Sequence, residues 1–216
     1  MELKQNRLCR IFCLTGILNV IFYVLHDVIG AMNYPGYNWM AQAVSDLTST
    51  DAPCFAIARG LSSVHAICSV VCCLFVLVLA QKENKLTKLG IAVYTVMSTI
   101  SAVGYSLFPI SGAGYDGSTR SFIHVYILTA LVVALSIVSL TLMGIGFIKG
   151  GRKTLGIIAF AALALMFIGA VGSGAAPKEV FGIFERFSTY SAVIFTAVLG
   201  VAYFADKENS DAAREN

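Results

Sequence analysis

Charged residues are scarce in this chain of 216 residues. Asp, Glu, Lys and Arg make up 12% of it, whereas a typical soluble domain carries roughly 25%. Long uncharged segments cause the difference, and 57% of the residues are hydrophobic, with a mean hydropathy of +0.80. An ordinary soluble domain is therefore excluded, and the composition predicts a polytopic membrane protein.

Other functional classes lack their usual sequence signals. The net charge of +3 comes from basic residues in short, separate segments, which excludes a nucleic-acid-binding surface. The six cysteines do not form a disulfide framework, because five lie in or near the cytoplasmic ends of the predicted helices and only Cys54 lies at the other side. No motif indicates a cofactor.

Six apolar segments are long enough to cross a bilayer, which takes about 20 residues per helix. They must be helical, because lipid offers no partner to exposed backbone N–H and C=O groups. The sequence thus predicts an all-α bundle of six transmembrane helices, with one domain over 1–205 and a polar cytoplasmic tail over 206–216. The segments are 10–31, 55–80, 89–109, 121–148, 155–175 and 185–205.

Basic residues orient these helices. Lys and Arg are concentrated before the first segment and in the 2–3 and 4–5 loops, whereas residues 32–54 contain none. The positive-inside bias therefore predicts a multi-pass protein of the cell membrane with both termini in the cytoplasm and residues 32–54 outside. The alternative for the first segment is a cleaved signal peptide, although no clean A-x-A site follows it.

The segment 32–54 is the longest connection. Within it, "NWMAQAVSDL" places apolar residues at helical spacing, with Gln42, Ser45 and Asp46 between them. This pattern predicts a short amphipathic helix over about 37–48, packed on the outer mouth of the bundle. Pro53 suits a break just before the second helix.

Ionisable residues within the apolar segments all lie in their predicted outer halves, where each is costly unless it is paired. Polar residues also fall at spacings of three and four, on single helical faces. These features predict an outward-facing polar cavity in which Arg59, His65, His124 and Asp46 meet. The alternative is that Arg59 reaches lipid phosphate, the histidines bond nearby backbone carbonyls, and the hydroxyls make ordinary interhelical hydrogen bonds. The full set of candidate ligand-binding residues is His26, Asp27, Ser45, Asp46, Arg59, His65, Tyr105, Arg120, His124, Glu185 and Arg186.

Several motifs resemble those of a known family. "YPGYNWMAQAVSDLTSTDAP", "GYSLFPISGAGYDG" and "FIHVY" are similar to segments of the prokaryotic membrane proteins grouped as domain of unknown function 998. The "VSDLTSTDAP" segment is also similar to part of the Frag1/DRAM/Sfk1 proteins. The first resemblance covers about residues 15–200 and implies an integral membrane bundle, with no assigned activity.

Three functions follow as hypotheses. The first is binding of a lipid headgroup or a small polar or anionic ligand, since Arg forks match phosphate and carboxylate groups. The second is an intramembrane lipid or amide hydrolase, metal-dependent or built on Ser45; tightly bound zinc is not expected, because no two histidines have ligand spacing. The third is a structural or regulatory subunit without its own ligand. The expected partner is the bilayer, with a bound lipid or polar solute and no nucleic acid; the oligomeric state is left open.

Overall fold

The computed structural model describes residues 2–112 and 115–212, and these residues form helices joined by turns and loops. Helix α8 continues through Ala212, so the predicted tail, 206–216, begins as a helix, and residues 213–216 lie outside the described range. The described α-helices are α1 (Glu2–Cys13), α2 (Thr15–Met32), α3 (Phe55–Leu79), α4 (Lys85–Leu107), α5 (Thr119–Phe122), α6 (Thr129–Lys149), α7 (Lys153–Ala175) and α8 (Phe181–Ala212).

Six helical stretches are long and apolar enough to cross a membrane, as the sequence predicts. The protein is therefore a multi-pass helical membrane protein, whereas its orientation stays a prediction. We call the end of the bundle that holds residues 33–54 and 108–118 the long-loop end, and the opposite end the short-loop end. The first to sixth spans are Arg7–Met32, Phe55–Lys82, Lys85–Leu107, Thr119–Lys149, Lys153–Ala175 and Lys178–Asp206.

Helices that follow one another through short loops pack together: α3 contacts α4, and α6 contacts α7, as loops of this length predict. The most extensive contacts join α4 with α6, α2 with α3 and α7 with α8. The largest fully buried side chains of the main core belong to α4, α6 and α8, and include Tyr94, Phe147 and Phe195. These packed helices form the support on which the long-loop end is built.

Glycine allows α7 and α8 to approach closely. A Cβ atom at Gly169 would overlap Ser188, and one at Gly172 would overlap the ring of Phe184. Small residues at this contact thus let the two helices pack closely. Ser173, one turn after Gly169, donates a hydrogen bond to the Gly169 carbonyl at 2.8 Å within its own helix.

The predicted amphipathic helix over 37–48 is wrong in form. The chain runs through turns up to residue 42 and then forms a 3-10 helix, Val44–Thr48. The carboxylate of Asp46 accepts a hydrogen bond from Ala43 N at 3.2 Å, at the start of this short helix. Trp39, which belongs to the turns, has 53% of its surface exposed.

The fourth span begins with an irregular turn. Helix α5 leads into a π-helix, Ile123–Leu128, before α6 begins. The hydroxyl of Thr129 donates to the carbonyl of His124, five residues earlier, at 3.2 Å. Because π-helical turns inside α-helices are frequent at functional sites, the surroundings of His124 belong to the candidate site.

Candidate functional site

An ion pair lies inside the bundle at its long-loop end. Arg186 of α8 donates from Nε to Asp27 Oδ2 at 3.0 Å and from Nη2 to Asp27 Oδ1 at 2.6 Å, and the Tyr190 hydroxyl donates to Oδ2 at 2.9 Å. The two charged side chains are only 12% and 11% exposed. This two-pronged geometry, which suits the planar guanidinium, ties the first span to the sixth. We call Asp27, Tyr37, Glu185, Arg186 and Tyr190 the Asp27–Arg186 cluster.

The same guanidinium holds the loop that follows the first span. Nη1 of Arg186 lies 2.7 Å from the carbonyl oxygen of Trp39 and 3.1 Å from those of Gln42 and Gly182. Nη2 donates to the Tyr37 hydroxyl at 3.0 Å. A guanidinium has five N–H groups, and these contacts with the ion pair occupy all of them. Arg186 therefore joins the first span, the sixth span and the loop, and its predicted role as a ligand for an external anion stays a prediction.

Two backbone contacts explain why residues 37–48 do not form one α-helix. In such a helix Val44 N–H would donate to the Met40 carbonyl. Instead, Val44 N donates to the carboxylate of Glu185 at 3.2 Å, and the Met40 carbonyl accepts from Ile183 N at 3.2 Å, at the start of α8. Gly182 leaves room for this, because a Cβ atom there would overlap two carbonyl oxygens of the loop. Tertiary partners thus replace the helical ones.

Tyr37 is the member of the cluster that belongs to the loop. Its hydroxyl accepts from Arg186 and donates to the carbonyl of Ala43 at 2.7 Å, and its ring packs against that of Tyr34 with centroids 5.6 Å apart. Burial raises the pKa of Tyr37 above its ordinary value, although the nearby guanidinium acts in the opposite direction. The phenol therefore stays protonated and able to donate at any physiological pH.

A groove of about 700 Å³ lies beside the cluster, within the usual size range of ligand pockets, about 300–1,000 Å³. The first, fifth and sixth spans form its walls, and Trp39 of the loop borders it. The lining is mostly apolar, and its polar groups belong mainly to the Asp27–Arg186 cluster. The lining residues are Asp27, Val28, Ala31, Met32, Trp39, Leu165, Ile183, Arg186, Phe187, Tyr190, Ser191 and Ile194.

Deeper in the bundle, the first span turns a polar face toward the interior. Asn19 donates from Nδ2 to the carbonyl of Val193 in the sixth span at 2.9 Å. The backbone carbonyl oxygen of Asn19 lies 3.1 Å from Nδ1 of His65 in the second span. The ring of Tyr23 lies 4.8 Å from that of His65 and 5.8 Å from that of His26. The structure thus brings His26 and His65 together around Tyr23.

Arg59, His65 and His124 each contact a different neighbour, and their meeting with Asp46 in one cavity stays a prediction. His65 and Asp46 bond backbone groups, as described above. Arg59 donates from Nη2 to the carbonyl and the hydroxyl of Ser106, at 3.0 and 2.8 Å. His65 and His124 therefore contact nearby backbone carbonyls, as in the alternative interpretation, whereas His26 does not.

His124 has its own surroundings in the π-helical turn. Its Nδ1 lies 2.6 Å from the carbonyl oxygen of Phe108, just after α4, and its ring is 4.7 Å from that of Tyr105. The Tyr105 hydroxyl is 3.3 Å from that of Thr129. Arg120, one turn earlier, is exposed. The turn therefore anchors the fourth span to the end of the third.

The two long connections at this end are also bonded to each other. Thr50 N donates to the carbonyl of Ile110 at 2.9 Å, and Gly112 N donates to Asp51 Oδ1 at 2.6 Å and to Ser49 Oγ at 2.9 Å. The Ser49 hydroxyl donates to the same carboxylate. The hydrogen bond from the Ser49 hydroxyl, followed by that from the Gly112 amide, holds the pKa of Asp51 below its usual value.

The described positions of these residues do not bring together a catalytic centre that would support the hydrolase hypothesis. Ser45 is half-buried, and its carbonyl accepts from the Thr48 hydroxyl at 3.0 Å. Among the side chains that the structure describes, no three His, Cys, Asp or Glu residues are placed to hold a metal ion. The expected absence of tightly bound zinc stays a prediction, and the hydrolase hypothesis stays open.

Sequence reasoning named Asp27, Glu185 and Arg186 as candidates but missed their partners. Tyr190 lies four residues after Arg186, a spacing that places the two on one helical face, so this signal was present. Tyr37 gave no comparable signal, because its position depends on how the loop crosses the start of α8.

The sequence model of a family described as "Protein of unknown function (DUF998)" matches residues 17–202, which is most of the chain and all six spans in whole or in part. No curated protein and no solved structure matches.

Proposed function

The chain belongs to the DUF998 family of proteins of unknown function, and we propose that this member binds a membrane lipid in the groove between the first, fifth and sixth spans. The observation that carries the proposal is the composition of the groove. Apolar side chains such as Leu165 and Ile194 line its length, whereas Asp27 and Tyr190 lie at its polar part. A hydrocarbon chain with a polar headgroup has the same division.

The headgroup that suits this groove carries a hydrogen-bond donor. The charges of Asp27 and Arg186 offset each other, so the pair offers no net positive field to an isolated phosphate. Asp27 Oδ1 receives one hydrogen bond, from Arg186, and a carboxylate oxygen can accept two. An ammonium or hydroxyl group of a lipid supplies the second donor.

Trp39 supports a position at the membrane surface. It borders the groove and is half exposed, and its indole lies 5.9 Å from the guanidinium of Arg186. Tryptophan is enriched where a protein crosses from hydrocarbon to water. With the orientation predicted from the basic residues, the bound lipid belongs to the outer leaflet.

The experiment compares lipid retention by two tryptophan variants. Leu165→Trp fills the groove, whereas Ile67→Trp adds the same side chain to an exposed position of α3, where 63% of Ile67 is exposed. Each protein is purified in a mild detergent, and the co-purifying lipids are extracted and measured by mass spectrometry. We expect Leu165→Trp to retain about tenfold less lipid, a change of ~1.4 kcal/mol in binding, and Ile67→Trp to match the wild type.

Equal lipid retention by all three proteins, each with an unchanged elution profile and melting temperature, would refute the proposal. Loss of lipid from both variants would show general delipidation by the added ring and would also count against the groove. Cleaved lipid that accumulates with the wild type, and not with Leu165→Trp, would support the hydrolase hypothesis for the same groove.

A further inference from the structure

Two buried polar groups of the first span have no hydrogen-bond partner among the described residues. Neither ring nitrogen of His26 is paired, and the residue is only 3% exposed. Oδ1 of Asn19 is likewise unpaired, in a residue with no exposed surface. Both side chains lie on the interior face of α2, away from lipid.

Such groups require an explanation. The large majority of buried side-chain polar atoms in proteins bond to protein or to ordered water, and leaving one unsatisfied lowers the stability of the fold. Asn19 and His26 are seven residues apart, which is two helical turns, so their side chains lie on one face with their Cα atoms about 10 Å apart. The two unpaired sites therefore belong to one strip of the helix surface.

The strip between them includes the ring of Tyr23, which belongs to an apolar cluster, and a polar neighbour from another helix. His65 of the second span faces it, with Nδ1 bonded to the backbone carbonyl of Asn19. The ring of Tyr23 lies beside the imidazoles of both His65 and His26. Because the strip is enclosed by the first, second and sixth spans, lipid cannot cover it.

We propose that a short row of water molecules binds along this strip, from Asn19 to His26. Water has the required chemistry: it donates to Asn19 Oδ1 and to the unprotonated nitrogen of His26, and it accepts from the protonated nitrogen. A span of about 10 Å holds roughly three waters at hydrogen-bond spacing. The site is separate from the lipid groove and does not depend on it.

The test uses solid-state NMR of the full-length protein in lipid bilayers, labelled with ¹⁵N at histidine and asparagine. Transfer of magnetisation from water protons to nitrogen reports which side chains contact water. The exposed side chain of Asn33, at the long-loop end, is the hydrated reference. We expect the ring signals of His26 and the side-chain signal of Asn19 to receive water magnetisation at the same short mixing times as Asn33, in spite of their burial.

Two substitutions distinguish bound water from indirect transfer. In His26→Gln the amide keeps a donor and an acceptor, so the transfer to Asn19 should persist. In His26→Leu one end of the row loses its partner, so the transfer to Asn19 should fall severalfold. If His26→Leu does not fold, the wild type and His26→Gln still decide the matter.

Absence of transfer to His26 and Asn19 in the wild type, at mixing times at which Asn33 responds fully, would overturn the proposal. Equal transfer to Asn19 in the wild type and in a folded His26→Leu would also overturn it, because the water at Asn19 would then be independent of His26.

Discussion

An arginine forms ion pairs at each end of the bundle, and the two arginines differ in how far they are buried. At the long-loop end, Arg186 is 12% exposed and forms a two-pronged ion pair inside the bundle. At the short-loop end, Arg152 is 21% exposed and bonds two carboxylates, Glu83 at 2.7 Å and Asp206 at 2.9 Å. Its guanidinium also lies over the ring of Tyr203, 4.9 Å from the centroid.

The difference in exposure implies a difference in energy. Asp206 is 48% exposed, so water and salt screen much of its attraction to Arg152, and exposed pairs contribute about 0–1 kcal/mol. The other partner, Glu83, is 17% exposed, still more than either member of the pair of Arg186 and Asp27. The pair of Arg186 and Asp27 is largely desolvated. Removing one member of such a pair costs about 3–5 kcal/mol, because the other charge stays buried.

The two arginines also have different roles. Arg152 belongs to the basic residues that predict the orientation of the helices, and its contacts join loops to the end of α8. Arg186 lies within a spanning helix and bonds backbone carbonyls of the loop that borders the groove. Loss of Arg186 should therefore affect both stability and the proposed binding site.

The largest expected effect is that of Arg186→Met. It leaves the Asp27 carboxylate without its partner, and we expect a loss of about 3–5 kcal/mol in the free energy of unfolding. The measurement is denaturant-induced unfolding in detergent. Arg152→Met is the matched control, with an expected loss of about 1 kcal/mol.

The double variant Asp27→Leu/Arg186→Met sharpens this comparison. Because it removes the buried charge together with its partner, it should recover part of the stability that Arg186→Met loses. Equal losses for Arg186→Met and Arg152→Met would show that burial does not distinguish the two ends.

The next largest effect concerns the room that glycine leaves for the loop. In Gly182→Ala the new methyl group meets the carbonyls of Trp39 and Gln42, and overpacking of this kind costs about 1–3 kcal/mol. We expect a lower melting temperature and faster proteolysis near residues 37–42.

Gly150→Ala is the counterpart at the short-loop end. A Cβ atom there would lie 3.1 Å from Nδ2 of Asn84, a tight contact with the end of a side chain. Its effect on the melting temperature should be smaller than that of Gly182→Ala. The opposite order would mean that the loop does not rest on α8 as described.

The sequence predicts the spans well because lipid imposes a strict rule of length and composition on them. The prediction of an α-helix fails over 37–48. The apolar spacing there is helical, but the hydrogen-bond partners of the Met40 carbonyl and the Val44 N–H group come from α8. Local pattern cannot reveal such partners, since they belong to a segment about 140 residues away in the chain.

The sequence predicted which charged residues belong to the candidate site. It did not predict which of these residues contact each other. Asp27 and Arg186 were recognisable as costly charges in apolar segments. Which charges meet depends on the arrangement of the helices, and one sequence does not supply it. The expected group of Arg59, His65 and His124 therefore has separate partners, whereas Asp27 and Arg186, which were not predicted to pair with each other, form the ion pair.

A smaller effect is expected from Glu83→Gln at the short-loop end. The carboxylate of Glu83 accepts from Arg152 and from the Tyr203 hydroxyl at 3.0 Å, and an amide keeps one acceptor for them. We expect a loss of at most about 1 kcal/mol. Because the pair is partly exposed, added salt should reduce the difference between the variant and the wild type. A difference that does not depend on salt would mean that the contact of Glu83 with Arg152 is shielded from solvent, as is the pair of Arg186 and Asp27.

The smallest effect concerns an exposed contact at the long-loop end, where Asp51 joins the two long connections. Its folded-state pKa lies below the ordinary value of about 3.9, so the bonded carboxylate stabilises the contact above that pH. The stabilisation is lost as the pH falls through the folded-state pKa.

Hydrogen exchange at the Gly112 amide, corrected for the intrinsic rate at each pH, measures this contact. We expect protection at neutral pH that disappears in acid, and protection in Asp51→Asn that is weaker at neutral pH and varies little between the two conditions. The same acid dependence in both proteins would assign the effect to another group. Because the buried pair of Arg186 and Asp27 lies elsewhere at the same end, protection of the Arg186 amide should not change when Asp51 is replaced. That result would separate the exposed contact between the loops from the buried contact that fixes residues 37–42.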